Sequence, residues 1–269
     1  MKTSRLPSFK QVRRTTTLAV IAGVLLSIAA AGGQAQTRDP KAEELAHAVM
    51  KAMGGQEAWN NTKFVRFDFK VMAADGTARA DRSHLWDKWT GRYRHESKTK
   101  EGKTQVVLFN VNDQKGSVYL DGQKLDDAAA AEALKGAYGS FINDMYWLAM
   151  PWKWLDPGVN LKSLGVKEKD GKKYDVVELT FGKVGLTPGD MYHAYVSPDS
   201  HLMTYWEYTL QSGNKGAWTW EYGDHQGVKL ASNHTNAEGV SINMGQVACP
   251  KQVDDAYFTD PAKALAGLK

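Results

Sequence analysis

Apolar positions recur along this chain in two different periods. Residues 41 to 53, KAEELAHAVMKAM, set Leu45, Val49 and Met53 at i, i+4 and i+8 with Gly54-Gly55 behind them. That spacing predicts an amphipathic helix and its stop, with a short further turn around Gln56 to Trp59. The period then changes to two. In KFVRFDFKV the residues Val65, Phe67, Phe69 and Val71 alternate with Phe64, Arg66 and Asp68, and this apolar set predicts the buried face of a strand. Further strands are predicted at DRSHLWD, GRYRHES, QVVLFNV and GSVYLDG. A second series, from VNLKSLGV to VKLASNHT, follows one long helical segment. Two runs of short strands at meander spacing, with no β-α-β alternation, predict a β-rich α+β fold.

The long segment predicts a helix capped by Asp126 or Asp127 and ending before Pro151. Its C-terminal half is apolar nearly all round. Phe141, Met145, Leu148 and Trp152 form one stripe, Ile142, Tyr146 and Ala149 widen it, and Trp147 and Met150 occupy a third side. Only Asn143 and Asp144 are plainly polar, so the helix is expected to be buried or to face an apolar ligand. Its fully apolar part is too short to cross a bilayer. Trp and Met suit adaptable contacts with flexible apolar partners.

The strands HLMTYWEYTL and AWTWEYG each carry large aromatics at alternate positions. A loop at Gly213-Asn214-Lys215 would set Leu210 near Trp218, Tyr208 opposite Trp220, and Trp206 opposite Tyr222, paving one sheet face with rings. A helix over that face would roof an apolar cavity. Its expected lining is Phe67, Phe69, Trp147, Met150, Trp206, Tyr208, Trp218 and Trp220.

Charge alters the picture at the N-terminus. Lys2, Arg5, Lys10, Arg13 and Arg14 precede an apolar run from Leu18 to Ala31 and the small-residue site Gly33-Gln34-Ala35. This is the order of a secretory signal peptide cleaved near Ala35, most simply of the general secretory type, which leaves residues 36 to 269 as a single domain. Removing it leaves 29 of the 34 Lys and Arg against 30 Asp and Glu, a net charge of about −1. No basic cluster of the kind that neutralises several phosphates survives, so a nucleic-acid partner is not expected. The lone Cys249 excludes an internal disulfide and reads as a small buried hydrophobe.

Two groups carry candidate chemistry. The hairpin register above sets Glu207 opposite Glu221, a carboxylate pair that could act as acid and base, and equally a solvated outer face. His84, Asp87 and His95 lie around the LWDKWTGRY hairpin and form the best local set for a hydrolytic or metal site. No nucleophile elbow, phosphate loop, His-Glu-x-x-His or Cys-x-x-Cys occurs, and no cofactor is expected.

The leader, MKAMGGQEAW, LWDKWTGRYRHE, INDMYWLAMPWKWLDPGV and YDVVELTFGKVGLTPGDMYHAYVSPDSHLMTYW together resemble a family of exported bacterial proteins of uncharacterised function. That family is similar in turn to the LolA/LolB-like superfamily of periplasmic lipoprotein carriers. The resemblance implies an open antiparallel half-barrel covered on its concave face by helices. It also implies a periplasmic or secreted protein that binds a lipid or other hydrophobic ligand, or an envelope protein.

Overall fold

The computed structural model describes residues 36–182 and 184–268, and the predicted leader lies outside them. Asp39 caps the first helix, α1 (Pro40–Ala52), by accepting from Lys41 N, and Pro40 takes the first helical position, where no backbone N–H is needed. The helix ends at Gly54, whose φ of 119° favours glycine. A Cβ at Gly54 would overlap the carbonyl oxygen of Gly227, so the bare backbone is what lets this helix end approach so closely. A short helix, α2 (Gln56–Asn61), follows.

The chain next meanders through β1 (Phe64–Met72), β2 (Ala78–Asp87), β3 (Arg92–Lys98), β4 (Thr104–Asn110), β5 (Gly116–Leu120) and β6 (Gln123–Lys124). Helix α3 (Asp127–Ala149) begins at Asp126, whose side chain accepts from Ala129 N, and runs into a 3-10 turn over Met150–Lys153. A second meander comprises β7 (Val159–Lys169), β8 (Lys172–Phe181), β9 (Met191–Val196), β10 (Met203–Thr209) and β11 (Lys215–Thr219). The chain then returns through β12 (Glu221–His225), β13 (Val228–Thr235) and β14 (Ser241–Asn243), and closes with α4 (Ala256–Thr259).

All pairings between these strands are antiparallel. A nine-stranded sheet runs β12-β13-β14-β1-β2-β3-β4-β5-β6, and a five-stranded sheet runs β11-β10-β9-β8-β7. They adjoin where Thr219 and Thr235 meet hydroxyl to hydroxyl at 2.8 Å, with Thr235 N donating to the Thr219 hydroxyl at 3.0 Å. The result is an open, curved antiparallel layer, the α+β class that the sequence pattern predicts. Helices α1 and α3 bury their apolar sides against it in one continuous core.

The predicted inward face of β1 is buried, Val65, Phe67, Phe69 and Val71 included. The alternate positions are buried as well, which period-two reasoning does not give. On that other face Phe64 and Leu85 join Tyr257, Phe258 and Leu265 of the C-terminal segment in a second, smaller core. Beside it Arg66 pairs with Asp68 at 2.7 Å. Arg94, also buried, donates to the carbonyls of Tyr257, Asp260 and Pro261 at 3.1, 2.8 and 3.0 Å. The C-terminal tail thus covers the back of the nine-stranded sheet.

The β10–β11 register differs from the one predicted. Trp206 lies opposite Trp218, Tyr208 opposite Gly216 and Thr209 opposite Lys215. The turn sits earlier than expected, at Gln211-Ser212-Gly213. Leu210 N donates to Asn214 O at 2.8 Å, and Gly213 supplies the positive φ of 86° that this tight reversal requires. Because the displacement is an even number of residues, the aromatic face is preserved while every partner changes. Trp220 and Tyr222 do not take the predicted partners: Trp220 N donates to Thr204 O at 2.9 Å at the start of β10, and the chain then passes into β12 of the other sheet.

Candidate functional site

Beneath α3 the expected aromatics gather in two places. Trp147 is the hub of the larger group. Its ring meets Trp206 and Trp218 edge to face at 4.9 and 5.1 Å and stacks with Trp220 at 6.2 Å. Tyr208, half-buried, extends the group from Trp206 at 5.2 Å. His234 closes the far side, lying 4.3 Å from Trp220 ring to ring, with Nε2 3.0 Å from the Trp147 carbonyl. Burial pulls the His234 imidazole down to about 3, so it is neutral. Met150 is buried beside Trp154, whose indole N–H points at its sulfur at 3.0 Å.

Phe67 and Phe69 lie elsewhere, under a buried polar cluster. Phe67 stacks on His84 at 4.4 Å, and the Arg82 guanidinium sits 4.8 Å over Phe69. Arg82 grips Asp144 of α3 with two parallel bonds of 2.7 and 2.8 Å. Asn143 donates to the same carboxylate at 2.8 Å, and His84 Nε2 lies 3.0 Å from it. The Tyr93 hydroxyl lies 2.9 Å from His84 Nδ1; because the Asp144 carboxylate beyond Nε2 can only accept, the proton belongs on Nε2 and Nδ1 is left to accept from Tyr93. Burial would raise the Asp144 carboxyl. The Arg82 charge and the bonds from His84 and Arg82 outweigh it and hold the group below its usual range. His95, opposite His84, is buried, and neither of its ring nitrogens has a partner among the described residues. Burial, then the neighbouring His84, keeps it well below the ordinary imidazole range.

Neither predicted chemical group assembles as expected. Glu207 lies opposite Ala217 on one side and His193 on the other, and accepts from the Tyr195 hydroxyl at 2.9 Å. Glu221 is exposed and pairs with Asn233 in the other sheet, so no carboxylate pair forms. The cause is the displaced turn and the change of sheet at Trp220. His84 and His95 do face each other, but Asp87 is an odd number of residues along the strand from His84 and points to the opposite face. There it accepts from Arg92 at 2.9 Å and from the N–H groups of Trp89 and Thr90. Among the described residues no group of three or more His, Cys, Asp or Glu could hold a metal ion. Cys249 is buried and its thiol is pushed up to about 11 by that burial, an inert setting.

One largely apolar opening lies at the C-terminal end of α3. A crevice of about 100 Å³ is bounded by Trp59 of α2, Trp86 and Lys88 at the end of β2, Ile142, Met145, Tyr146 and Ala149 of α3, and Trp152, Lys153 and Asp156 beyond it. Trp59 stacks on Trp152 at 5.3 Å, forming one wall. Tyr146 also lines it, and its ring lies 6.4 Å from that of Trp206, linking the crevice to the indole cluster. Lys88 Nζ donates to the Trp59 carbonyl and lies 3.5 Å from the centre of its ring. Burial, with Lys153 nearby, pulls this amine down to about 7. Sequence reasoning missed Lys88 and Asp144. The signal available was their setting: a lysine between Trp86 and Trp89, and one acid in the otherwise largely apolar C-terminal half of α3.

No protein-family model matches the chain, and no curated protein matches it. Solved structures do. A LolA superfamily protein from Nitrosomonas europaea is similar at 11% identity and a TM-score of 0.49, over 81% of this chain and 97% of the other. A DUF1329 family protein from Desulfovibrio piger follows at 12% and 0.46, over 81% and 96%. A putative outer membrane lipoprotein-sorting protein domain from Vibrio parahaemolyticus stands at 9% and 0.46, over 82% and 97%. The likeness is one of architecture. Among the described residues no helix is long and apolar enough to cross a membrane.

Proposed function

We propose that this chain is an exported binding protein that holds a lipid or other apolar ligand between α3 and the concave face of the sheets. The observation that carries the reading is the crevice at the end of α3, walled by Trp59, Trp86, Met145 and Trp152, with Tyr146 both in its lining and in ring contact with Trp206 of the indole cluster. The signal-peptide pattern read in the sequence of residues 1–35 supports a periplasmic or secreted location. A ligand pocket of ordinary size measures about 300–1,000 Å³. The crevice of about 100 Å³ therefore seats only one end of a ligand, and a longer chain enters as Trp147, Trp206, Trp218 and Trp220 part with α3. Each methylene moved from water to such a lining contributes about 0.8 kcal/mol, or roughly 11 kcal/mol gross for a fourteen-carbon chain. Separating the rings and ordering the ligand offset much of that.

Filling the crevice tests the reading. Ala149 is buried at its wall, and Ala149→Leu adds three carbons there. The variant is expected to keep its fold by circular dichroism and to lose binding of a fluorescent apolar probe. Native mass spectrometry of protein recovered from an expressing cell's envelope is expected to show a bound apolar species. A protein that is recovered empty and takes up no probe contradicts the reading.

A further inference from the structure

The crevice is apolar along its walls, yet two hydrogen-bond donors without a matching acid address it. Trp86 lies near the end of β2 and Lys88 is the first residue beyond that strand, and both line the crevice. The Trp86 indole N–H is buried and has no acceptor among the described residues. Lys88 Nζ has the Trp59 carbonyl and ring, but no carboxylate among the described residues pairs with it. The other charged residues of the lining, Lys153 and Asp156, are engaged with each other. Within its aromatic slot the lining thus carries one amine whose ammonium form has no acidic partner among the described residues, and one indole N–H without an acceptor there. A neutral ligand would leave that ammonium partly desolvated and unpaired, at a cost that an anion removes.

We propose that the crevice receives the carboxylate end of an acyl chain, with Lys88 Nζ and Trp86 Nε1 donating to its oxygens and Trp59, Met145 and Trp152 enclosing the first methylenes. This rests on the reading of the protein as a holder of apolar ligands and specifies the ligand's polar end. The size agrees. About 100 Å³ is a few water volumes, enough for a carboxylate and a short stretch of chain, which then continues toward Tyr146. The depressed amine of Lys88 fits the same picture, since a carboxylate beside it restores the charged form.

The test is calorimetric titration of the whole protein with decanoate, decanol and methyl decanoate, which share a chain and differ at its end. Decanoate is expected to bind at least about tenfold more tightly than the other two, the scale of one charge-assisted hydrogen bond. In Lys88→Met, which keeps the aliphatic stem, that preference is expected to collapse toward one, and in Lys88→Arg to persist. Trp86→Phe should lower it in part, and serves as the readout if the Lys88 variant does not fold. Equal affinity for the three ligands in the native protein overturns the carboxylate proposal and leaves the binding reading standing. A preference that survives in Lys88→Met overturns it too. Binding of none of the three overturns both.

Discussion

Replacing Arg82 by Met would leave the Asp144 carboxylate buried without its main counter-charge. The Asp144 side chain is fully buried and that of Arg82 is 23% exposed, so the pair is held largely out of water. Removing one partner of such a pair costs about 3–5 kcal/mol. His84 and Asn143 still reach the carboxylate, which argues for the lower end, about 3 kcal/mol. For a domain of this length that corresponds to a fall of roughly 6–12 °C in Tm. The pH dependence sharpens the expectation. In the native protein the Asp144 carboxyl titrates below its unfolded value. Its contribution is therefore present above about pH 4 and is lost as pH falls through the folded value. Without Arg82, burial prevails and the folded value rises above the unfolded one, so protonation relieves the variant. Its deficit should shrink as pH is lowered from 7 toward 4. Asp144→Asn in the same background removes the charge while keeping an acceptor for His84, and should recover much of the loss. Urea denaturation of the single and double variants across that pH range measures all three quantities. A loss under about 1 kcal/mol at pH 7, or a deficit constant in pH, refutes the buried-pair account.

Other consequences follow from the same geometry. Gly54→Ala drives a Cβ into the Gly227 carbonyl at a φ of 119° and should cost more than about 2 kcal/mol, whereas Gly55→Ala has open space and should cost about 1, both read from chemical denaturation. His234 is buried neutral with a folded value of about 3 against 6.5, so its contribution is full above pH 6.5 and declines as pH falls toward 3. A His234→Gln variant should lose less stability than the native protein between pH 6.5 and 4 in thermal melts, and an equal acid loss in both would contradict the assignment.

How much of this was legible in the sequence depended on whether one segment's own pattern sufficed. Helix α3 was, because Asp126 and Pro151 mark its ends and its apolar content needs no partner to interpret. The inward face of β1 was legible for the same reason. The register of β10 against β11 was not, because Gly213 could serve either turn, and only the pairing of Trp206 with Trp218 shows which. The Glu207–Glu221 hypothesis fell with that register. The role of Asp144 was hidden because the Arg82 and His84 that neutralise it are some sixty residues away. The setting of Lys88 was hidden too, since nothing local reveals that Trp59 and Trp152 share its crevice.

The strand order has a consequence for how the molecule is made. Strand β1, among the first to be synthesised, pairs on one side with β14, Lys70 opposite Asn243, and its back is covered only by the last residues of the chain. The middle of the nine-stranded sheet therefore stays open until nearly the whole polypeptide is available. Contacts of such sequence separation form late and slowly. The pairing of β1 with β14 is therefore expected to be among the last in the sheet to form.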